Sequence, residues 1–270
     1  MLANDRLVIL GAGNMGQALL RGVLSAELFG KEHVLAVERL AERQQEVERM
    51  GVAVTTDLAE AASFGTVFVL AVKPKDLPNL LRDLAPLVRA DQLFISIAAG
   101  VSLSTLQSHL PGAVVRVMPN TPALIGAGIS AIACGERVSE ADRQKVATLL
   151  GALGEWVFVS EDLIDGVTGL SGSGPAYVFL FIEALTDGGV AAGLPREVAR
   201  KLAVQTVLGA ARLVEQTGQH PAVLKDQVTS PGGTTIAGLR VLAERGFHSA
   251  VMEAVLSATA RSKELAKGEG

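Results

Sequence analysis

Gly11-Ala12-Gly13-Asn14-Met15-Gly16 follows directly on the apolar Val8-Ile9-Leu10 and precedes a helical pattern. In such a G-x-G-x-x-G run the first glycine permits a tight turn. The second lets backbone approach a pyrophosphate, and the third allows close helix–strand packing. The N–H groups that open the helix then face the phosphates, so the motif predicts a bound dinucleotide. Glu38 lies about 20 residues further on, where an acid holds a ribose 2′-hydroxyl and favours NAD. Arg39 beside it suits the 2′-phosphate of NADP instead, and the pattern leaves both readings open.

Further candidates cluster where strands should end. Ala71-Val72-Lys73-Pro74 and Ser96-Ile97-Ala98-Ala99-Gly100 offer small residues and a proline, so backbone can come near a cofactor there. Lys73 is either a catalytic ammonium or an exposed strand-end lysine. In Arg116-Val117-Met118-Pro119-Asn120-Thr121-Pro122 the prolines shape the loop, and Asn120 suits a nicotinamide carboxamide or a turn cap. Thr229-Ser230-Pro231-Gly232-Gly233-Thr234-Thr235 leads into a helix, and its glycines and hydroxyls make an anion nest fit for a carboxylate. The alternative use of those hydroxyls is simple N-capping. The serines of Ser171-Gly172-Ser173-Gly174-Pro175 read as caps of the apolar helix that follows.

The elements that must position these residues divide the chain in two. Apolar runs at 7–10, 33–37, 52–54, 67–71, 93–97, 114–118, 129–133 and 155–159 read as buried strands. Amphipathic segments at 40–50, 75–88 and 140–150 read as crossover helices, which predicts a parallel, doubly wound α/β sheet. After about residue 160 only helical spacing remains. One helix runs from Pro195 to Gly218, a short one carries Ile236, Leu239 and Leu242, and a last one covers 247–266. We therefore expect a dinucleotide-binding domain over 1–160 and an all-α domain over 161–270.

Composition narrows the function. The chain has 270 residues, 49% of them hydrophobic and 19% charged, which excludes a disordered protein. A net charge of −4 without a basic run argues against nucleic acid. The single Cys134 and scattered histidines support no metal site, and Cys134 lies in an apolar run that suits packing. There is no G-x-S-x-G elbow for a hydrolase. Neither the short N-terminal apolar run nor 175–193, broken by Glu183 and Asp187, suits a signal peptide or a membrane span, so a soluble, cytoplasmic protein is expected. A mean hydropathy of +0.38 with only 4% aromatics points to small aliphatic packing and a large subunit interface.

Taken together, Gly11–Gly16, AVKP at 71–74, SIAAGVS at 96–102, RVMPNTPA at 116–123, SGSGPAY at 171–177 and LKDQVTSPGGTTIAGL at 224–239 resemble the pyrroline-5-carboxylate reductases. The resemblance runs nearly the whole chain in order, and its last stretch is the most specific. It implies a Rossmann-type domain followed by an all-α dimerisation domain, a homodimer often assembled to a decamer, and the last step of proline biosynthesis with NADPH, or alternatively NADH. By position, Gly11 through Gly16 would hold the pyrophosphate, and Glu38 and Arg39 would meet the adenosine ribose. Ala71, Val72, Lys73 and Pro74 with Ala98, Ala99 and Asn120 would line the cofactor. Ser230, Gly232, Gly233, Thr234 and Thr235 would bind the substrate carboxylate, with Thr235 near the ring nitrogen. Such a reaction brings residues of the two domains together, so a cleft between them is the expected site. Leu58 stands where many relatives have asparagine, and Gly218 where some have glutamate, so roles given to those side chains do not transfer.

Two other readings compete. A β-hydroxyacid dehydrogenase would need a catalytic lysine in the helical half, and Lys201 and Lys225 lack that family's glycine-marked context. A nucleotide sensor would have no use for the Ser230–Thr235 nest.

Overall fold

Most apolar runs become strands buried on both faces, but the strands at 53–55 and 154–158 are partly or largely exposed rather than buried as expected, since they lie at the two edges of the sheet. The computed structural model describes Leu2 and residues 4–266. Its strands are β1 (Leu7–Leu10), β2 (Val34–Val37), β3 (Ala53–Thr55), β4 (Val67–Leu70), β5 (Leu93–Ser96), β6 (Ala113–Met118), β7 (Gly128–Cys134) and β8 (Gly154–Phe158). They form one sheet in the order β3-β2-β1-β4-β5-β6-β7-β8. Every residue of β1, β2, β4 and β5 is buried, as in a sheet covered by helices on both sides.

The alternation of strand side chains supplies two cores. Leu7 and Ile9 point into one with Leu19, Leu20, Val23, Val146, Leu149 and Leu150. Val8 and Leu10 point into the other with Leu77, Leu81, Leu84 and Leu106, where Phe68 and Phe94 stack at 5.1 Å. The covering helices are α1 (Asn14–Ser25), α2 (Ala41–Arg49), α3 (Leu58–Phe64), α4 (Leu77–Leu84), α5 (Leu103–His109) and α6 (Glu140–Gly151), and the short α7 (Ile164–Val167) follows β8. In α4 the buried residues are Leu77, Leu80, Leu81 and Leu84, one face of a helix.

One expectation needs correction: the sheet is not wholly parallel. β7 runs antiparallel to β6, with Val117 opposite Ile132. The connection from Met118 to Gly128 holds only the short helical turn Thr121–Ile125. A parallel return needs a crossover of roughly a dozen residues or more, so the chain turns back. The longer connection through α6 restores parallel pairing between β7 and β8.

The chain forms two compact units. The first holds the sheet, runs to Gly172, and includes residues 258–266. The second, Ser173–Ser257, is helical: α8 (Gly174–Ala191), α9 (Arg196–Thr217), α10 (Pro221–Gln227), α11 (Thr234–Glu244) and most of α12 (Phe247–Ala266). Gly218 ends α9 in the left-handed region, at φ +62°, where glycine is the favoured residue. Ser173 stands before α8 but makes no side-chain cap, contrary to expectation. Its own backbone is helical (φ −85°, ψ −24°) because the turn at Thr168–Gly172 runs straight into α8, whereas a capping serine needs extended backbone.

The helical unit buries little of itself. Its buried residues are Thr186, Ala199 and Ala203, while Phe179, Leu180, Val228 and Leu256 are each more than 60% exposed. Apolar surface on that scale marks a face that associates with another chain. Among the described residues no helix is long and apolar enough to cross a membrane.

Candidate active site

The glycine loop is built as its sequence requires. Gly11 has φ +99°, and a Cβ there would lie 3.0 Å from the main-chain nitrogen of Val72, so only glycine lets the end of β4 pass. A Cβ on Gly16 would strike the carbonyl oxygen of Gly11, so glycine sets how close α1 packs on β1. At Gly13 the nearest atom to such a Cβ is Nη1 of Arg43, 3.8 Å away. That side of the loop is open, and the residues fit a pyrophosphate.

Among the described residues two α-helices start at glycine with extended backbone and no side-chain cap. Gly13 precedes α1 (φ −71°, ψ −173°), and Gly233 precedes α11 (φ −77°, ψ 178°). Asp57, Ser102, Ser139 and His220 cap their helices through side chains, while α2, α4, α7, α8 and α9 also start without a side-chain cap but not at glycine. An uncapped N-terminus leaves main-chain N–H groups to an anion, with the helix dipole in support. At α11 Gly232 turns in the left-handed region at φ +67°, the Gly233 N–H donates to the Ser230 carbonyl at 3.1 Å, and a Cβ on Gly233 would strike the Ser230 Oγ. Thr234 and Thr235 then occupy the first turn rather than the cap position. The capping use of these hydroxyls therefore does not hold.

The other residues fall at the carboxyl ends of the strands. Ala71, Val72, Lys73 and Pro74 leave β4, with Lys73 and Pro74 exposed. Ala98 is buried beyond β5, and Ala99 beside it is exposed. Asn120 Oδ1 accepts from the Ile129 N–H at 2.9 Å, which closes the β6–β7 loop and leaves the amide nitrogen as a donor. Leu58 opens α3 behind the Asp57 cap and packs partly buried against the core.

Glu38 is only 7% exposed, and its carboxylate accepts from main-chain N–H groups of Ala12 (2.9 Å), Arg39 (2.8 Å) and Leu40 (2.9 Å). Arg43 Nη1 stands 3.8 Å from Glu38 Oε2, while the Arg39 side chain is exposed. Sequence reading missed Arg43 and Gln17. Gln17 is buried and lies on the wall of an open polar cavity of about 430 Å³ with Asn14, Arg21, Glu42, Arg43, Glu46 and Leu124. The one signal for either was Gln17's place directly after the glycine motif.

The doubly wound sheet and the glycine loop at the β1–α1 turn define an oxidoreductase that uses a pyridine nucleotide. Residues 6–100 match the family model described as NADP oxidoreductase, coenzyme F420-dependent. Residues 161–265 match the model for pyrroline-5-carboxylate reductase dimerisation. The chain is 48% identical over 264 residues to a pyrroline-5-carboxylate reductase from Synechocystis, covering 97% of this chain and 98% of that one. A Coxiella burnetii pyrroline-5-carboxylate reductase superposes with a TM-score of 0.91 at 34% identity, over 97% of this chain and 98% of the other. A Plasmodium falciparum pyrroline carboxylate reductase solved with NADP bound gives 0.87 at 33% identity, again over 97% and 98%. The chain belongs to the pyrroline-5-carboxylate reductase family. As its dimerisation domain and uncovered apolar helices together indicate, it is a homo-oligomer.

Proposed function

We propose that this protein reduces the cyclic imine 1-pyrroline-5-carboxylate to proline, the last step of proline biosynthesis, with NADPH as preferred reductant and NADH as the weaker one. The supporting observation is the start of α11, an uncapped anion nest on the helical unit of a chain whose other unit carries the dinucleotide loop.

The chemistry divides between the two units. Gly11, Ala12, Gly13, Asn14, Met15 and Gly16 hold the pyrophosphate by main-chain N–H groups. Ala71, Val72, Lys73 and Pro74, with Ala98, Ala99 and the amide of Asn120, shape the nicotinamide end. The bound reduced nicotinamide supplies a hydride for the imine carbon. Ser230, Gly232, Gly233 and Thr234 take the substrate carboxylate at the α11 N-terminus. Thr235, whose hydroxyl has no hydrogen-bond partner among the described residues, orients the ring nitrogen. A protonated imine needs little help from a general acid, so these residues work chiefly by orientation, which can supply several kcal/mol. The helical units pair as a homodimer, and five such dimers make a decamer in the cytoplasm.

The test follows nicotinamide absorbance with purified protein, 1-pyrroline-5-carboxylate and each cofactor. Turnover faster with NADPH is the expected result. Tight cofactor binding without turnover on any cyclic imino acid would defeat the reading in favour of a nucleotide sensor.

A further inference from the structure

The glycine loop is held at one residue, Ala12, through the two peptide groups that flank it. The Ala12 N–H donates to Glu38 Oε2 at 2.9 Å, and the Ala12 carbonyl accepts from Gln17 Nε2 at 3.0 Å. Ala12 is fully buried, and the two side chains are 7% and 8% exposed. Gln17 is itself fixed. Its Nε2 also donates to Glu46 Oε2 at 2.5 Å, and its Oε1 accepts from Arg21 Nη2 at 3.0 Å, so both amide protons have acceptors. Glu38 is equally committed, with Arg39 and Leu40 N–H groups on its second oxygen. The Gln44 side chain donates to the Glu38 carbonyl at 2.7 Å and steadies the end of β2.

We infer that Gln17 and Glu38 clamp Ala12 through the peptide groups on either side of it and set the glycine loop for the pyrophosphate, and that Glu38 is a positioning residue rather than a reader of the adenosine ribose. The inference rests on the proposed use of a dinucleotide cofactor. A carboxylate that already accepts three main-chain N–H groups keeps about one of its roughly four acceptor sites, too few for both hydroxyls of a ribose, and exchanging those bonds would free the loop. Holding the loop in its binding shape before the cofactor arrives removes part of the ordering cost of binding. Arg39 and Arg43 are then the side chains left to meet charge on the adenosine ribose.

Glu38→Gln and Gln17→Met in the full-length protein test the clamp. Both should raise KM for NADPH and NADH together, by about tenfold, the loss of roughly one hydrogen bond to a charged or buried group. The effect should fall on KM rather than kcat, and the preference between cofactors should stay within about threefold of the parent. Fluorescence titration of NADPH without substrate reads the same affinity loss, so the clamp is tested even if the parent protein fails to turn over 1-pyrroline-5-carboxylate. If Glu38→Gln weakens NADH alone and shifts preference by tenfold or so, Glu38 reads the ribose and the inference fails. Gln17→Met guards against misfolding of the first variant. A lower melting temperature with both KM values unchanged would make these contacts merely structural and also overturn it.

Discussion

Arg116 on β6 and Glu161 beyond β8 meet at 3.0 Å across 45 residues of chain, and the same Glu161 oxygen accepts the N–H of Leu103 at the start of α5 at 2.6 Å. One carboxylate thus ties the end of the sheet to the helix that follows β5. The Arg116 side chain is 9% exposed and that of Glu161 33%, so Arg116→Met leaves a partly shielded charge unpaired. Unfolding in urea should show a loss of about 2 kcal/mol, below the 3–5 kcal/mol typical when a fully buried pair is broken. A loss under about 0.5 kcal/mol would place the pair with ordinary surface bridges.

The glycine loop separates folding from binding. A methyl on Gly13 meets nothing nearer than 3.8 Å, whereas one on Gly16 collides with the Gly11 carbonyl. Gly13→Ala should keep its melting temperature and lose NADPH affinity by tenfold or more, roughly one displaced phosphate contact. Gly16→Ala should lose stability and cofactor together, by about 2–3 kcal/mol in the unfolding experiment, the usual scale of overpacking. Equal melting temperatures in the two variants would refute this assignment.

At α11 the hydroxyl of Thr235 can be removed with little change of shape. Thr235→Val should cut kcat/KM for 1-pyrroline-5-carboxylate by about tenfold or more, with cofactor affinity intact, and Thr235→Ser should recover most of it. Steady-state kinetics at saturating NADPH decides this. Full activity in the valine variant would remove Thr235 from the reaction.

Phe179 and Leu180 on α8 are 63% and 66% exposed in the single chain. If they lie in the subunit interface, Leu180→Glu should yield monomers or aggregates in light scattering, because a charge placed in an apolar interface lacks a partner. An unchanged oligomer would show that this stretch of α8 faces solvent.

Burial pushes the Cys134 thiol up from its ordinary value, with the Arg143 guanidinium pulling the other way. The thiol therefore stays protonated at neutral pH and should alkylate slowly in the native protein, then rapidly on unfolding. The sign for stability follows. The raised value favours the folded protein while the thiol is protonated, and that advantage is lost as pH climbs through the thiolate range. Rapid labelling of the native protein at neutral pH would contradict this.

Much of this architecture was legible in residue types alone. Runs such as Leu7–Leu10 and Val67–Leu70 are apolar on both faces, which fits strands covered on two sides. The glycine motif and the Ser230–Thr235 stretch depend on local backbone freedom, which sequence carries directly. The helices α3, α5 and α10 were not legible, because seven residues apiece are too few to display a helical period.

What sequence by itself determined is the list of local preferences: where strands form, where glycine alone fits, and which helix starts leave N–H groups open. Tertiary structure decided the partners. Sequence left Glu38 open between two cofactors, because a carboxylate's role depends on which donors surround it. Only the fold brings the Ala12 N–H to its oxygen across 26 residues, and Glu161 to Arg116 across 45. It also reversed β7, whose direction follows from the length of the return path rather than from any residue in the strand.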